Sequence, residues 1–134
     1  MQTVDTLKNG FKIIQDSNRF KFGIDAILLS HFAFNQIRNN DKVIDLGTGN
    51  GIIPLMLAKS RASSITGLEI QTENVELAKQ SVKLNQLENK IKIQQGNQSP
   101  RQKNLVRSFP LPLSKQLYLF GFNSSLITIF FPFF

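Results

Sequence analysis

The chain has 134 residues, no cysteine, and a net charge of +7 from 16 basic and 9 acidic side chains. That length suits one domain, and the lack of cysteine excludes disulfides and thiolate metal sites. Residues up to Asn97 carry 12 basic and 9 acidic groups, whereas 98–134 carry no acid, so the tail alone supplies +4. Over half of the basic excess thus comes from one atypical segment, and the high isoelectric point is weak evidence for a nucleic-acid partner. The N-terminus is polar and lacks the apolar core of a secretory signal, so a cytoplasmic location is expected.

In chain order, the first signal is Asn9-Gly10 between apolar neighbours, which predicts a hairpin or extended lead-in over Leu7–Gln15. Asp25 then stands ahead of a helix through Ile27, Leu28, His31 and Phe32. As structure, it is a good N-cap for that helix; as function, it would shape a ligand pocket. The cap is the expected role. His31, the only histidine, has no paired carboxylate at helical spacing and reads as a partly exposed helix residue.

Residues 43–54, VIDLGTGNGIIP, are the most informative stretch. Val43 and Ile44 end on Asp45, and the chain opens into Gly47, Gly49 and Gly51 before the apolar Ile52, Ile53, Leu55, Met56 and Leu57. The order reads as strand, tight turn, helix. Glycines there let a ligand approach the backbone closely, and a helix N-terminus would offer free N–H groups. A dinucleotide site wants G-x-G-x-x-G, but its third position falls on Ile52. A P-loop needs Lys-Ser/Thr where Ile52-Ile53 stands.

About twenty residues on, Ile65–Glu69 reads as a second strand ending on a carboxylate, placed to accept hydrogen bonds from ribose hydroxyls. Gln71–Leu84 reads as a helix, with Glu73 and Glu76 early and Lys79 and Lys83 late as the macrodipole prefers. Its buried stripe is Val75, Ala78 and Val82. Ile91–Gln95 alternates apolar and polar as a third strand, ending at Gly96-Asn97.

The loop of alternating glycines resembles the first motif of class I S-adenosylmethionine-dependent methyltransferases. The lead-in Arg19-Phe20-Lys21-Phe22-Gly23-Ile24-Asp25, the Leu-Gly-Thr-Gly run and the Glu69-Ile70-Gln71 signature resemble the bacterial tRNA adenine methyltransferases that modify the adenine beside the anticodon of one valine tRNA (the tRNA1(Val) adenine-37 N6 type, a methyltransferase small domain). The match runs from about Leu7 to Asn97. The resemblance implies an α/β fold, a Rossmann-like sheet of which this chain holds the N-terminal half, followed by an irregular tail. It implies S-adenosylmethionine as cofactor, bound by Asp45, Gly47, Thr48, Gly49, Asn50, Gly51, Glu69, Ile70 and Asn97, with the loop around the methionine part, Glu69 on the ribose and Asn97 on the adenine edge. It also implies tRNA as partner, with Lys8, Lys12, Arg19 and Lys21 as candidate phosphate contacts. No metal is expected, and the chain is expected to be a monomer.

The tail departs from the family. Residues 98–134 hold four of the five prolines and end in the aggregation-prone Leu126–Phe131. Leu117–Phe134 is apolar but interrupted by Gly121, Asn123, Ser124, Ser125 and Pro132, and is not expected to span a membrane. Amino-methylating relatives carry Asn-Pro-Pro-Tyr or Asn-Pro-Pro-Phe after the fourth strand to hold the flipped base. No Asn-Pro-Pro occurs here, so no catalytic residue is assigned. The expected division is a lead-in and helix over 1–40, a cofactor-binding βαβαβ half-domain over 41–97, and an aberrant, truncated or out-of-frame tail over 98–134. The favoured function is a tRNA adenine methyltransferase fragment, inactive as written. The alternatives are a non-catalytic cofactor-binding remnant and a nicotinamide-dependent oxidoreductase fragment.

Overall fold

A computed structural model describes residues 1–19, 21–96, 118–122 and 126–130. The chain begins with an antiparallel hairpin, β1 (Gln2–Thr6) and β2 (Lys12–Asp16). Its turn is the expected one: Gly10 takes φ +88, and the Leu7 and Phe11 backbones pair across it at 2.7 Å. Helix α1 (Ile24–Gln36) follows, then β3 (Lys42–Leu46), the short helix α2 (Ile52–Met56), β4 (Ser64–Glu69), helix α3 (Thr72–Leu84) and β5 (Ile91–Gln95). From β3 to β5 these are the strand–helix alternations read from the sequence, with bounds within about a residue of those expected; the hairpin starts at Gln2, five residues before the expected Leu7.

The main sheet has the order β5–β4–β3–β7–β6, where β6 is Tyr118–Phe122 and β7 is Leu126–Phe130. Strands β5, β4, β3 and β7 run parallel, and β6 pairs antiparallel with β7. The sequence predicts an irregular tail over 98–134; the described parts of it, 118–122 and 126–130, are strands. The physical reason lies in β3. Its far edge presents a row of open backbone groups, and an apolar, β-prone run such as Leu126–Phe130 satisfies them with a ladder. The features that mark this run as aggregation-prone also fit it to that edge.

Parallel strands are covered on both faces, and here they are short apolar runs: Val43, Ile65, Ile91 and Ile93 are buried. Helix α1 packs with Ala26, Leu29 and Ala33, and leaves Ile24, Leu28 and Phe32 exposed. Helix α3 buries Val75, Ala78 and Val82, as its periodicity requires, together with Leu77 and Ser81. Pro54 is tolerated in the first turn of α2, where a backbone N–H has no intrahelical acceptor. No helix among the described residues is long and apolar enough to cross a membrane.

The hairpin is fastened to α3 by polar contacts. The Asn85 side chain accepts from Lys12 N–H at 2.8 Å and donates to the Lys12 carbonyl at 2.6 Å, while Ile14 N–H donates to the Ser81 hydroxyl at 2.9 Å. Asn9 donates to the Leu55 carbonyl at 3.0 Å, which ties the turn to α2. Replacing Asn85 with Ala removes both Lys12 contacts at once. It should lower unfolding free energy by about 1–2 kcal/mol, the net worth of two solvent-exposed hydrogen bonds, as read from urea denaturation with an unchanged m-value.

Candidate cofactor site

The loop between β3 and α2 is shaped by three left-handed glycines: Gly47 at φ 75, Gly49 at φ 58 and Gly51 at φ 87. Residues with a Cβ are strained there. Gly51 is further constrained, because a Cβ on it would lie 3.2 Å from the Ala78 Cβ of α3. The loop is held from its neighbour strand. Gly47 and Thr48 N–H groups both donate to the Leu68 carbonyl, at 2.8 and 2.9 Å.

Glu69, at the end of β4, completes this arrangement. One carboxylate oxygen accepts from Gly49 N–H at 2.8 Å; the other accepts from Ile70 and Gln71 N–H at 2.8 and 2.9 Å. A carboxylate offers about four lone-pair positions, so the three backbone donors leave one for a ligand. The Ile70 side chain beside it is 61% exposed. Asn97 lies outside the described residues.

Asp45 sits beneath the loop with no solvent exposure, opposite Gly67 on β4. Neither of its oxygens has a hydrogen-bond partner among the described residues, and nor does the Thr48 hydroxyl. Burial pushes the Asp45 carboxyl up to about 7; the nearby Thr48 hydroxyl pulls the other way, and the negative charge of Glu69 adds to the rise. Gly67 is small for a local reason: a Cβ there would meet Ile93 and Thr48 side-chain atoms at 2.9 Å.

An open cleft lies over the loop. It is lined by the loop residues Gly47 to Asn50, by Ile52 and Ile53 of α2, by Phe22, Gly23, Asp25 and Ala26 around the start of α1, and by Asn74 of α3. Asp25 is not the N-cap that the sequence suggested. Gly23 holds that position without any side-chain bond, and Asp25 falls one step inside the first turn, where it faces the cleft. Phe22 and Asn74 were not singled out from sequence. Phe22 belongs to the quoted lead-in, but an asparagine in the first turn of α3 carries no distinguishing pattern. The expected strong helix N-terminus after the loop is also reduced, since α2 has only five residues and so little cumulative dipole. Of the expected surface cations, Arg19 pairs with Glu73 at 3.6 Å, and His31 is exposed as anticipated.

A glycine loop with room above it, a fully buried acid beneath it, and a second acid closing it from the next strand suit a ligand that is both cationic and sugar-bearing. S-adenosylmethionine is such a molecule, and the residues present fit it. This arrangement on a parallel sheet is that of the S-adenosylmethionine-dependent methyltransferases. The model of the methyltransferase small domain family matches residues 19–110, and the chain belongs to that family. The match continues past Asn97, the last residue of the motif resemblance.

Individual relatives agree. The tRNA1(Val) (adenine(37)-N6)-methyltransferase of Mannheimia succiniciproducens is 33% identical over 110 residues, covering 81% of this chain and 44% of its own length. The ribosomal protein L11 methyltransferase of Shouchella clausii is 41% identical over 71 residues, 52% of this chain and 22% of its own. The chain therefore spans less than half the length of these curated relatives. Among solved structures, Methanocaldococcus jannaschii Trm5 in complex with adenosine aligns with a TM-score of 0.59 at 27% identity, over 69% of this chain and 28% of that one.

The buried acid gives a pH dependence. Between about pH 4 and pH 7 the folded chain keeps the Asp45 proton that the unfolded chain has lost, so stability falls as pH rises through this window. The three-unit gap between the ordinary 3.8 and about 7 corresponds to about 4 kcal/mol. In denaturation curves at pH 4 and pH 8 without ligand, Asp45→Asn should remove most of that decline.

Proposed function

We propose that this chain is the cofactor-binding part of a methyltransferase acting on an adenine amino group in tRNA, and that it binds S-adenosylmethionine without transferring methyl by itself. The observation that carries the reading is the Gly47–Gly51 loop tied to the Glu69 carboxylate beside an open cleft. The named activity of the Mannheimia relative supports the tRNA adenine assignment, and the adenosine-bound archaeal structure supports a nucleoside on this fold.

In this reading Gly47, Thr48, Gly49, Asn50 and Gly51 cradle the methionine part of the cofactor. Asp45 stabilises its positive charge from beneath the loop, as an opposite charge in a desolvated setting does. Glu69 accepts a ribose hydroxyl with its remaining lone pair, Ile70 covers the adenine, and Asn97 reads its edge. When bound, the cofactor supplies a methyl group on a positively charged sulfur. The functional division follows the same lines: residues 41–97 form the cofactor half and 1–40 cover it, while 98–134 contain no Asn-Pro-Pro to hold a target amine. Orientation of the reacting groups contributes on the order of 7–11 kcal/mol in such transfers, which is why binding without transfer is expected.

Two measurements test this. In calorimetry, Gly49→Val should abolish cofactor binding, since its Cβ would occupy the ligand's space, and Glu69→Ala should weaken it by about 1–3 kcal/mol. Unchanged affinity in Gly49→Val would remove the loop from the site. With radiolabelled cofactor and unmodified bacterial tRNA, no label should reach adenine; stoichiometric transfer would show a complete active site within these 134 residues.

A further inference from the structure

Three acids surround the glycine loop, and they differ in what they are free to do. Glu69 already accepts three backbone N–H groups. Asp45 is fully buried beneath the loop and does not line the cleft. Asp25 lines the cleft, and among the described residues it makes no capping bond and no ion pair. Among the described residues it is the only carboxylate lining the cleft, which it shares with the glycine loop and the neutral polar Asn74.

The cofactor assigned above carries two kinds of polar group. Its nucleoside end has hydroxyls and ring nitrogens, which suit the Glu69 side. Its amino-acid end has an α-ammonium, which needs an anionic partner reachable from open space. We propose, building on the cofactor reading of this cleft, that Asp25 is that partner: its carboxylate pairs with the α-ammonium and makes the site prefer ligands that keep the amino-acid end. Asp25 is exposed to solvent along the cleft, and its pair with an ammonium is charge-assisted, which makes it stronger than a neutral hydrogen bond. The simpler role, a first-turn acid serving the dipole of α1, makes no distinction between ligands, and this separates the two.

The experiment compares two probes on the full chain by calorimetry: S-adenosylhomocysteine, which keeps the amino-acid end, and 5′-methylthioadenosine, which lacks it. Wild type should prefer the first. Asp25→Asn should weaken S-adenosylhomocysteine about 10- to 100-fold, the span of one lost hydrogen bond to a charged group, and leave methylthioadenosine within about twofold. Asp25→Glu should recover part of the loss. Equal weakening of both probes, or of neither, overturns the assignment, as does a selective loss in Asp45→Asn with none in Asp25→Asn. A wild-type chain that binds neither probe overturns the cofactor reading itself and the role of Asp25 with it. Circular dichroism of each variant, expected to match wild type, separates binding effects from unfolding.

Discussion

The hydrogen bonds of the Glu69 carboxylate are the constraint on which the site depends. One oxygen reaches back to Gly49 in the loop after β3, and the other turns down the chain onto Ile70 and Gln71 at the start of α3. Two connections that lie twenty residues apart in sequence are thereby fixed to each other. The loop's left-handed glycines would otherwise be the most conformationally free residues in the chain. With this tie, and with Gly47 and Thr48 bound to the Leu68 carbonyl, their freedom is spent on one shape, and the cleft above them has a defined floor.

Beneath that floor, Asp45 represents stored electrostatic cost. A carboxyl with no exposure, and with only the Thr48 hydroxyl to ease it among the described residues, carries the cost of lost hydration. Groups that work against stability commonly cluster at functional sites. The tight fit of Gly67 against Thr48 and Ile93 belongs to the same arrangement, since a larger residue on β4 would push the loop away from the strand that braces it.

Much of this was legible in the sequence, for reasons that can be traced to particular residues. The strands at 64–69 and 91–95 and the helix at 72–84 declare themselves through short-range periodicity, which depends only on neighbours. The glycine spacing and the following acid were readable because backbone approach leaves a compositional trace. Asp25 lies two positions past the cap that its residue type favours: Asp is a strong N-cap by preference, but Gly23 takes the cap and Asp25 falls in the first turn, where it lines the cleft. Asn74 was invisible, because what distinguishes it is proximity across the cleft and not anything in its local pattern. The pairing of 126–130 with β3 was missed for a related reason. Local sequence shows that a run can be a strand, but not which edge awaits it.

That last pairing has a kinetic consequence. Strand β3 meets β4 from Lys42 to Ser64, whereas it meets β7 from Lys42 to Leu126. The second closure spans a loop roughly four times longer, which adds about 1 kcal/mol of entropy cost under the logarithmic law. Long-range ladders of this kind slow folding relative to local ones. The β3–β4–β5 unit, with the glycine loop already inside it, should therefore acquire amide protection in pulsed hydrogen exchange before β7 does. The part of the sheet that carries the glycine loop is thus also the part whose assembly is most local, and it does not wait on the distant strand to take shape.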